Sequence, residues 1–138
     1  MLQGTIQVTS FDMSRLFAMI EHMRKQGLAE TGNLEKLEEE LARCDEVQSE
    51  KVAPDVVTMN SRVVLSDVLT GNEIACTLVF PQQADASEHR ISVLAPLGTA
   101  ILGYRVGDVI DWNMPSGVRQ YKILGIAYQP EAAGDYHL

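Results

Sequence analysis

The sequence predicts an α+β protein: an N-terminal antiparallel helical hairpin, amounting to a short coiled coil, joined to a C-terminal domain of antiparallel strands that carries one short helix. Three observations predict it. Two stretches before residue 45 space their apolar residues three and four apart, the helical repeat. Beyond residue 55 the chain breaks into short runs rich in Val, Ile, Leu and Tyr, separated by Gly, Pro, Asn and Ser, the pattern of strands and turns. Between the two regions, EVQSEKVAPD (46–55) loses both patterns and ends on an acid after proline, which marks a linker. Residues 1–52 are therefore expected to form the helical arm and residues 53–138 the sheet domain.

The elements follow in order. Thr5 to Val8 alternates like a short strand, and Thr9 with Asp12 three positions later forms a capping box that starts a helix near Phe11. Met13, Leu16, Ile20 and Met23 step by three, four and three along one face, and Gly27 ends the helix. After the turn LAETG, Asn33 is placed to cap a second helix in which Leu34, Leu37, Leu41 and Cys44 repeat those steps. A short helix is marginal alone in water, so the two stripes are expected to face each other. Lys36 with Glu40 and Glu39 with Arg43, each four apart, would add a few tenths of a kcal/mol on the outside, roughly.

In the second half, Val56–Met59, Arg62–Val68, Glu73–Phe80, Arg90–Leu94, Val109–Asn113 and Gln120–Ala127 read as strands. Thr70, Gly71 and Asn72 supply one hairpin turn, and Pro115, Ser116 and Gly117 another. Pro96 begins the one helix of this half, LGTAILG follows, and Gly103 closes it. Leu97, Ile101 and Leu102 are expected to face the sheet.

Composition excludes several function classes. The chain of 138 residues carries 19 acids against 11 Lys and Arg, a net charge of −8, and direct nucleic-acid binding needs clustered cations instead. A protein partner fits better. Nothing approaches the roughly 20 apolar residues that span a bilayer, and MLQGTIQVTS does not read as a secretory signal, so a cytoplasmic protein is expected. Cys44 and Cys76 have neither CxxC spacing nor companion histidines, and His22, His89 and His137 are scattered, so no metal, cofactor or catalytic set is predicted.

The run RISVLAPLGTAILGYRVGDVIDWNMPSGVRQYKILGIAYQP, Arg90 to Pro130, resembles the C-terminal domain of the Gre transcript-cleavage factors. In that family a strand ending in Ser-Pro or Ala-Pro leads into a short Leu/Ala helix, then Gly-Asp-Val, then Pro-x-Gly and a closing strand. The corresponding pieces here are Ile91 to Pro96, Leu97 to Gly103, Gly107 with Asp108, and Pro115 to Gly117. DVVTMNSRV (55–63) and YQPEAAGDY (128–136) are similar to the small Gre relatives called regulators of nucleoside diphosphate kinase, the Rnk branch. The resemblance implies an FKBP-like C-terminal domain, a coiled-coil N-terminal arm, and binding to RNA polymerase at the β′ rim of its secondary channel.

The resemblance also nominates residues. In Gre factors the loop entering the Pro-Leu helix contributes to polymerase binding, which here corresponds to Leu94, Ala95, Pro96 and Leu97. Pro96 also suits a first helical turn with no further role. Leu94 stands where Gre proteins can carry a polar or acidic residue, so the contact would be more apolar. Leu28, Glu30 and Glu35, at and beside the arm's tip, are candidate contacts. Glu35 with Glu38, Glu39 and Glu40 also reads simply as a solvated face with acids near a helix N-terminus.

Gre factors act by carrying a pair of tip acids down the channel to help hold a second Mg²⁺. Helices of about 15 residues rise only about 22 Å, roughly half a full Gre arm. Glu30 is followed three positions later by Asn33, not by a second acid, and Mg²⁺ is poorly held by one carboxylate. The expectation is thus a non-enzymatic regulator that occupies the secondary channel's entrance and competes with Gre-type factors. The alternatives are a signalling or chaperone-like protein-interaction module and, more remotely, a prolyl isomerase. The last would need an aromatic-lined pocket, whereas Tyr104, Trp112, Tyr121 and Tyr128 read as core and rim residues of the sheet.

Overall fold

The computed structural model describes residues 6–27, 31–114 and 116–138 and has the mixed α+β class that the sequence predicts. Thr9 opens the first helix, α1 (Ser10–Lys25), from an extended backbone, and its hydroxyl accepts the Asp12 N–H at 3.0 Å. That bond satisfies one of the amides a helix start leaves without an intrahelical partner. Gln26 and then Gly27, at φ +68°, end α1. Helix α2 (Thr31–Arg43) begins two residues before Asn33, so Asn33 is a helical residue and not the cap the sequence suggests. Leu28 and Glu30 lie outside the described residues, as do Thr5 and Pro115.

The apolar stripes are buried at Leu16, Ile20, Leu34, Leu37 and Leu41, with Met13, Met23 and Cys44 half-buried beside them. Arg24 pairs with Glu38 on the neighbouring helix, and the Cys44 sulfur lies 3.6 Å from that of Met13. The expected ladder at i, i+4 is different in detail, since Arg43 pairs with Glu40 three residues back. The same hydrophobic cluster also contains Val57, Met59, Leu65, Leu78, Ile101 and Ile123. The core therefore continues across residue 52, where the sequence pattern changes. Because Leu37 is 0% and Ile20 2% exposed, Leu37→Ala and Ile20→Ala are each expected to cost about 2–4 kcal/mol through lost burial and residual cavity. Thermal melting of the full chain checks this, and unchanged melting would contradict the packing.

A small parallel pair ties the helices to the sheet domain. Strand β1 (Gln7–Thr9) pairs with β2 (Asp45–Val47), Gln7 opposite Asp45 and Thr9 opposite Val47. The Asp45 N–H donates to the Ile6 carbonyl at 2.7 Å, and the Gln7 N–H donates to Gly103 at 3.2 Å. Gly103 has φ +83°, and a Cβ there would lie 2.8 Å from that of Ile6, so glycine serves both the backbone and the close approach.

The main sheet has the order β5-β4-β3-β7-β6, where β3 is Arg62–Asp67, β4 Glu73–Val79, β5 Arg90–Ser92, β6 Val109–Met114 and β7 Gly117–Tyr128. All neighbours are antiparallel except β4 and β5, which run parallel with Val79 opposite Ser92. Asp67 holds the β3–β4 turn by accepting the Leu69 and Thr70 N–H groups at 2.8 and 3.2 Å, with Gly71 at φ +79°. The expected strand Val56–Met59 is instead an irregular buried segment: Val56 makes an isolated bridge to Arg105, and Asn60 at φ +68° turns the chain. Helix α3 (Pro96–Ile101) starts on its proline and buries Leu97, Ile101 and Leu102 in the core, and a final short helix, α4, spans Pro130–Ala133.

Candidate docking surface

The parallel ends of β4 and β5 carry the chain into the segment that the sequence nominates. Beyond Ser92, Val93 is buried and its N–H donates to the Val79 carbonyl at 2.9 Å. Its own carbonyl accepts the buried Thr99 hydroxyl at 2.6 Å. Ser92 accepts the Leu94 N–H on its hydroxyl at 3.0 Å and the Ala95 N–H on its carbonyl at 3.0 Å. The Ala95 carbonyl in turn accepts the Thr99 N–H at 2.9 Å. These bonds tie the turn to β4, β5 and α3, which holds the loop in one shape.

Gly98 lets that shape form. A Cβ at this position would stand 2.1 Å from the Ser92 carbonyl oxygen and 2.9 Å from its carbon, both backbone atoms with little room to move. The loop rests directly on the helix it introduces. It presents Leu94 and Ala95 half-buried and Pro96 exposed. Leu97, 5% exposed, faces the sheet as its place on the short helix suggests, so of the nominated set its side chain lies in the core and not on the open face. Leu94, Ala95 and Pro96 are thus brought together on one rigid junction, while Glu35 lies exposed on α2, a separate element.

The sequence reading missed a buried polar network beneath α1. Asp12 is 1% exposed, accepts the Met59 N–H at 3.1 Å and pairs with Arg15 at 2.5 Å. Burial raises its carboxyl above the usual range, opposed by the bond from Arg15 and the Met59 amide. Thr58 donates to Glu131 at 2.8 Å and lies 2.9 Å from the Ser61 hydroxyl, while the Gln129 amide donates to the Ala53 and Val56 carbonyls. These bonds hold the irregular segment 53–61 in place of strand pairing. No sequence signal marks it: Asp12 reads as a capping residue, and nothing in its spacing shows that its carboxylate is buried.

Other chemistry finds weak support. The Cys76 thiol is pushed up to about 11 by burial, which makes it a poor thiolate nucleophile. Trp112 and Tyr121 pack on each other with ring centroids 5.4 Å apart, and Tyr104 is buried, so these rings build the sheet's packing. Among the described residues no group of three or more His, Cys, Asp or Glu could hold a metal ion, and no helix is long and apolar enough to cross a membrane.

Two family models match the chain: transcription elongation factor GreA/GreB, C-terminal, over residues 51–128, and Rnk N-terminus over residues 5–47. The change of model falls where the sequence pattern changes. The regulator of nucleoside diphosphate kinase from Escherichia coli (strain K12) is 40% identical over 139 residues, covering the whole of both chains. Transcription elongation factor GreA from Syntrophotalea carbinolica is 33% identical over 104 residues, which is 75% of this chain and 65% of that one. Among solved structures, a GreA/GreB elongation factor from Nitrosomonas europaea superposes with a TM-score of 0.75 at 37% identity, over 91% of this chain and 100% of that one. The curled, mostly antiparallel sheet and its helices are therefore a Gre-type fold, and the chain belongs to the GreA/GreB transcription elongation factor family, in the branch that joins a Rnk N-terminus to the GreA/GreB C-terminal domain.

Proposed function

We propose that this protein is a non-catalytic transcription regulator that docks on RNA polymerase at the β′ rim of the secondary channel and excludes Gre-type factors from it by occupancy. The observation that carries the reading is the rigid junction Leu94–Ala95–Pro96, which lies inside the segment matched to the GreA/GreB C-terminal domain and keeps an apolar surface open beside a locked loop. A rigid presenting element limits the ordering cost of binding. The FKBP-like description of residues 53–138 and the coiled-coil description of residues 1–52 belong to the same reading. The pairings Arg24 with Glu38 and Met13 with Cys44 support an antiparallel arm.

The arm's length argues for occupancy without chemistry. Helices of 16 and 13 residues rise about 24 and 20 Å, short of the reach a full Gre arm uses. Asn33 also stands where a second tip acid would be needed for a shared metal. Added to a backtracked polymerase complex, the protein is expected not to stimulate Mg²⁺-dependent release of short 3′ RNA fragments. Release at the rate given by a Gre factor would overturn the non-catalytic reading.

A second reading, a signalling or chaperone-like module acting on another protein, is favoured by the name of the Escherichia coli relative, a regulator of nucleoside diphosphate kinase. Capture from a bacterial lysate separates the two. Recovery of the polymerase β and β′ subunits supports docking on polymerase, and recovery of the kinase without them supports the second reading.

A further inference from the structure

Beside the buried Leu16 and Ile20, α1 carries a second group of residues with a chemistry of its own. Met19 is followed three and four positions on by His22 and Met23, the spacing that makes neighbours on one helical face, with Cβ atoms about 5–6 Å apart. All three line an open groove of about 880 Å³, and His137 lines it from the segment after α4. That segment is held against α1, since the Leu138 oxygen accepts from Arg15 at 2.8 Å and from the Asn60 amide at 2.7 Å. The groove thus collects two thioethers and two imidazoles.

We propose that Met19, His22, Met23 and His137 bind one copper(I) ion in this groove, at a site separate from the Leu94 junction. The donor set selects the ion. Thioether sulfur is a soft ligand that favours Cu(I), and imidazole suits copper as well. Hard cations such as Mg²⁺ and Ca²⁺ want several carboxylate or carbonyl oxygens, and none of the described lining residues is Asp or Glu. Zinc is held by Cys, His and carboxylate groups, of which the lining side chains offer the two imidazoles alone.

Access and adjustment fit the same ion. His22 and His137 are exposed while Met19 and Met23 are half-buried, so the four donors run from the edge of the core to open solvent. Three rotatable bonds let each thioether settle around a metal without moving the helix. Arg15 also lines the groove, but its charge is opposed by Asp12 at 2.5 Å. Its guanidinium carbon is held 4.0 Å from the Phe11 ring centroid and 4.9 Å from that of Phe80. A net charge of −8 favours the approach of a cation.

The test is an NMR titration of the full chain, isotope-labelled at its methionine methyl groups, with Cu(I) under argon. The chain carries Cys44→Ser, because the Cys44 and Met13 sulfurs lie 3.6 Å apart and form a rival pair of soft donors. The Met19 and Met23 methyl resonances are expected to move together and to stop at one equivalent, while that of Met59, 0% exposed in the core, stays in place. His22→Gln and His137→Gln, read at both methyls, and Met23→Leu, read at Met19, are each expected to weaken binding about tenfold or more. Both histidines are exposed and leucine is close to methionine in volume, so the fold is not at stake. Mg²⁺ and Zn²⁺ at the same concentrations are expected to move neither methyl. The proposal is overturned if Met19 and Met23 stay unmoved at two equivalents of Cu(I), if Zn²⁺ moves them equally, or if the three variants keep the parent affinity.

Discussion

Gly98→Ala is expected to lower the stability of this protein by about 3 kcal/mol or more, near the upper end for overpacking, and to lower its melting temperature by roughly 10 °C. Helix propensity alone argues the other way, since alanine is favoured over glycine inside a helix by about 1 kcal/mol. The steric effect wins because the new Cβ would stand 2.1 Å from the Ser92 carbonyl oxygen, and that oxygen is held by the Ala95 N–H. Relief requires the Ser92–Ala95 turn and α3 to separate, which strains the bonds to Val79 and Thr99 as well. Gly125→Ala is the matched comparison. It meets nothing within 4 Å and needs no positive φ, so a change within about 0.5 kcal/mol is expected. Equal melting of the Gly98 and Gly125 variants would show that the loop does not rest on α3 as described.

Leu94→Asp is expected to weaken polymerase binding by about 2 kcal/mol or more, roughly thirtyfold, because interfaces concentrate their energy in a few apolar central residues and a charge there is desolvated without a partner. Leu94 is half-buried and packs against the core, so the same change also removes intramolecular contact. Pro96→Glu separates the two effects. Pro96 is exposed at the first position of α3, where an acid suits the helix start, so this variant charges the same surface while leaving the core contact in place. Both variants are expected to lose affinity, and Pro96→Glu to melt within a few degrees of the parent chain. Parent-like affinity in both would place the docking surface elsewhere. Deleting residues 1–52 is not a clean comparison, because Leu16, Ile20, Leu34, Leu37 and Leu41 share one core with the sheet domain.

Most of the architecture was legible because it is written in local patterns. Thr9 and Asp12 announce the first helix, and strict spacing of Leu34, Leu37 and Leu41 announces the second. Alternation and turn residues placed β3, β4, β6 and β7 to within a few residues. What failed was structure specified by distant partners. Asp45–Val47 is a strand only because Gln7–Thr9 lies beside it, and a three-residue polar run has no period of its own. Val56–Met59 has the composition of a strand but is held by Gly103, Tyr104, Gln129 and Asp12 instead of by a neighbouring strand. At the proposed docking surface, Leu94, Ala95 and Pro96 were nominated by resemblance, while the inward side of Leu97 was already given by its spacing with Ile101 on the short helix. Gly98 carried no signal of its need, since Ser92, the atom it must avoid, lies six residues away across a turn.

The measurement that bears most directly on the central claim is an equilibrium titration of the fluorescently labelled full chain with purified bacterial RNA polymerase core enzyme, repeated with increasing amounts of a Gre factor. Saturable binding is predicted, with the Gre factor displacing the label fully and raising the apparent Kd linearly with its own free concentration, as two ligands competing for one site must. Absence of saturable binding, or binding that persists unchanged when the polymerase is saturated with the Gre factor, would contradict the account.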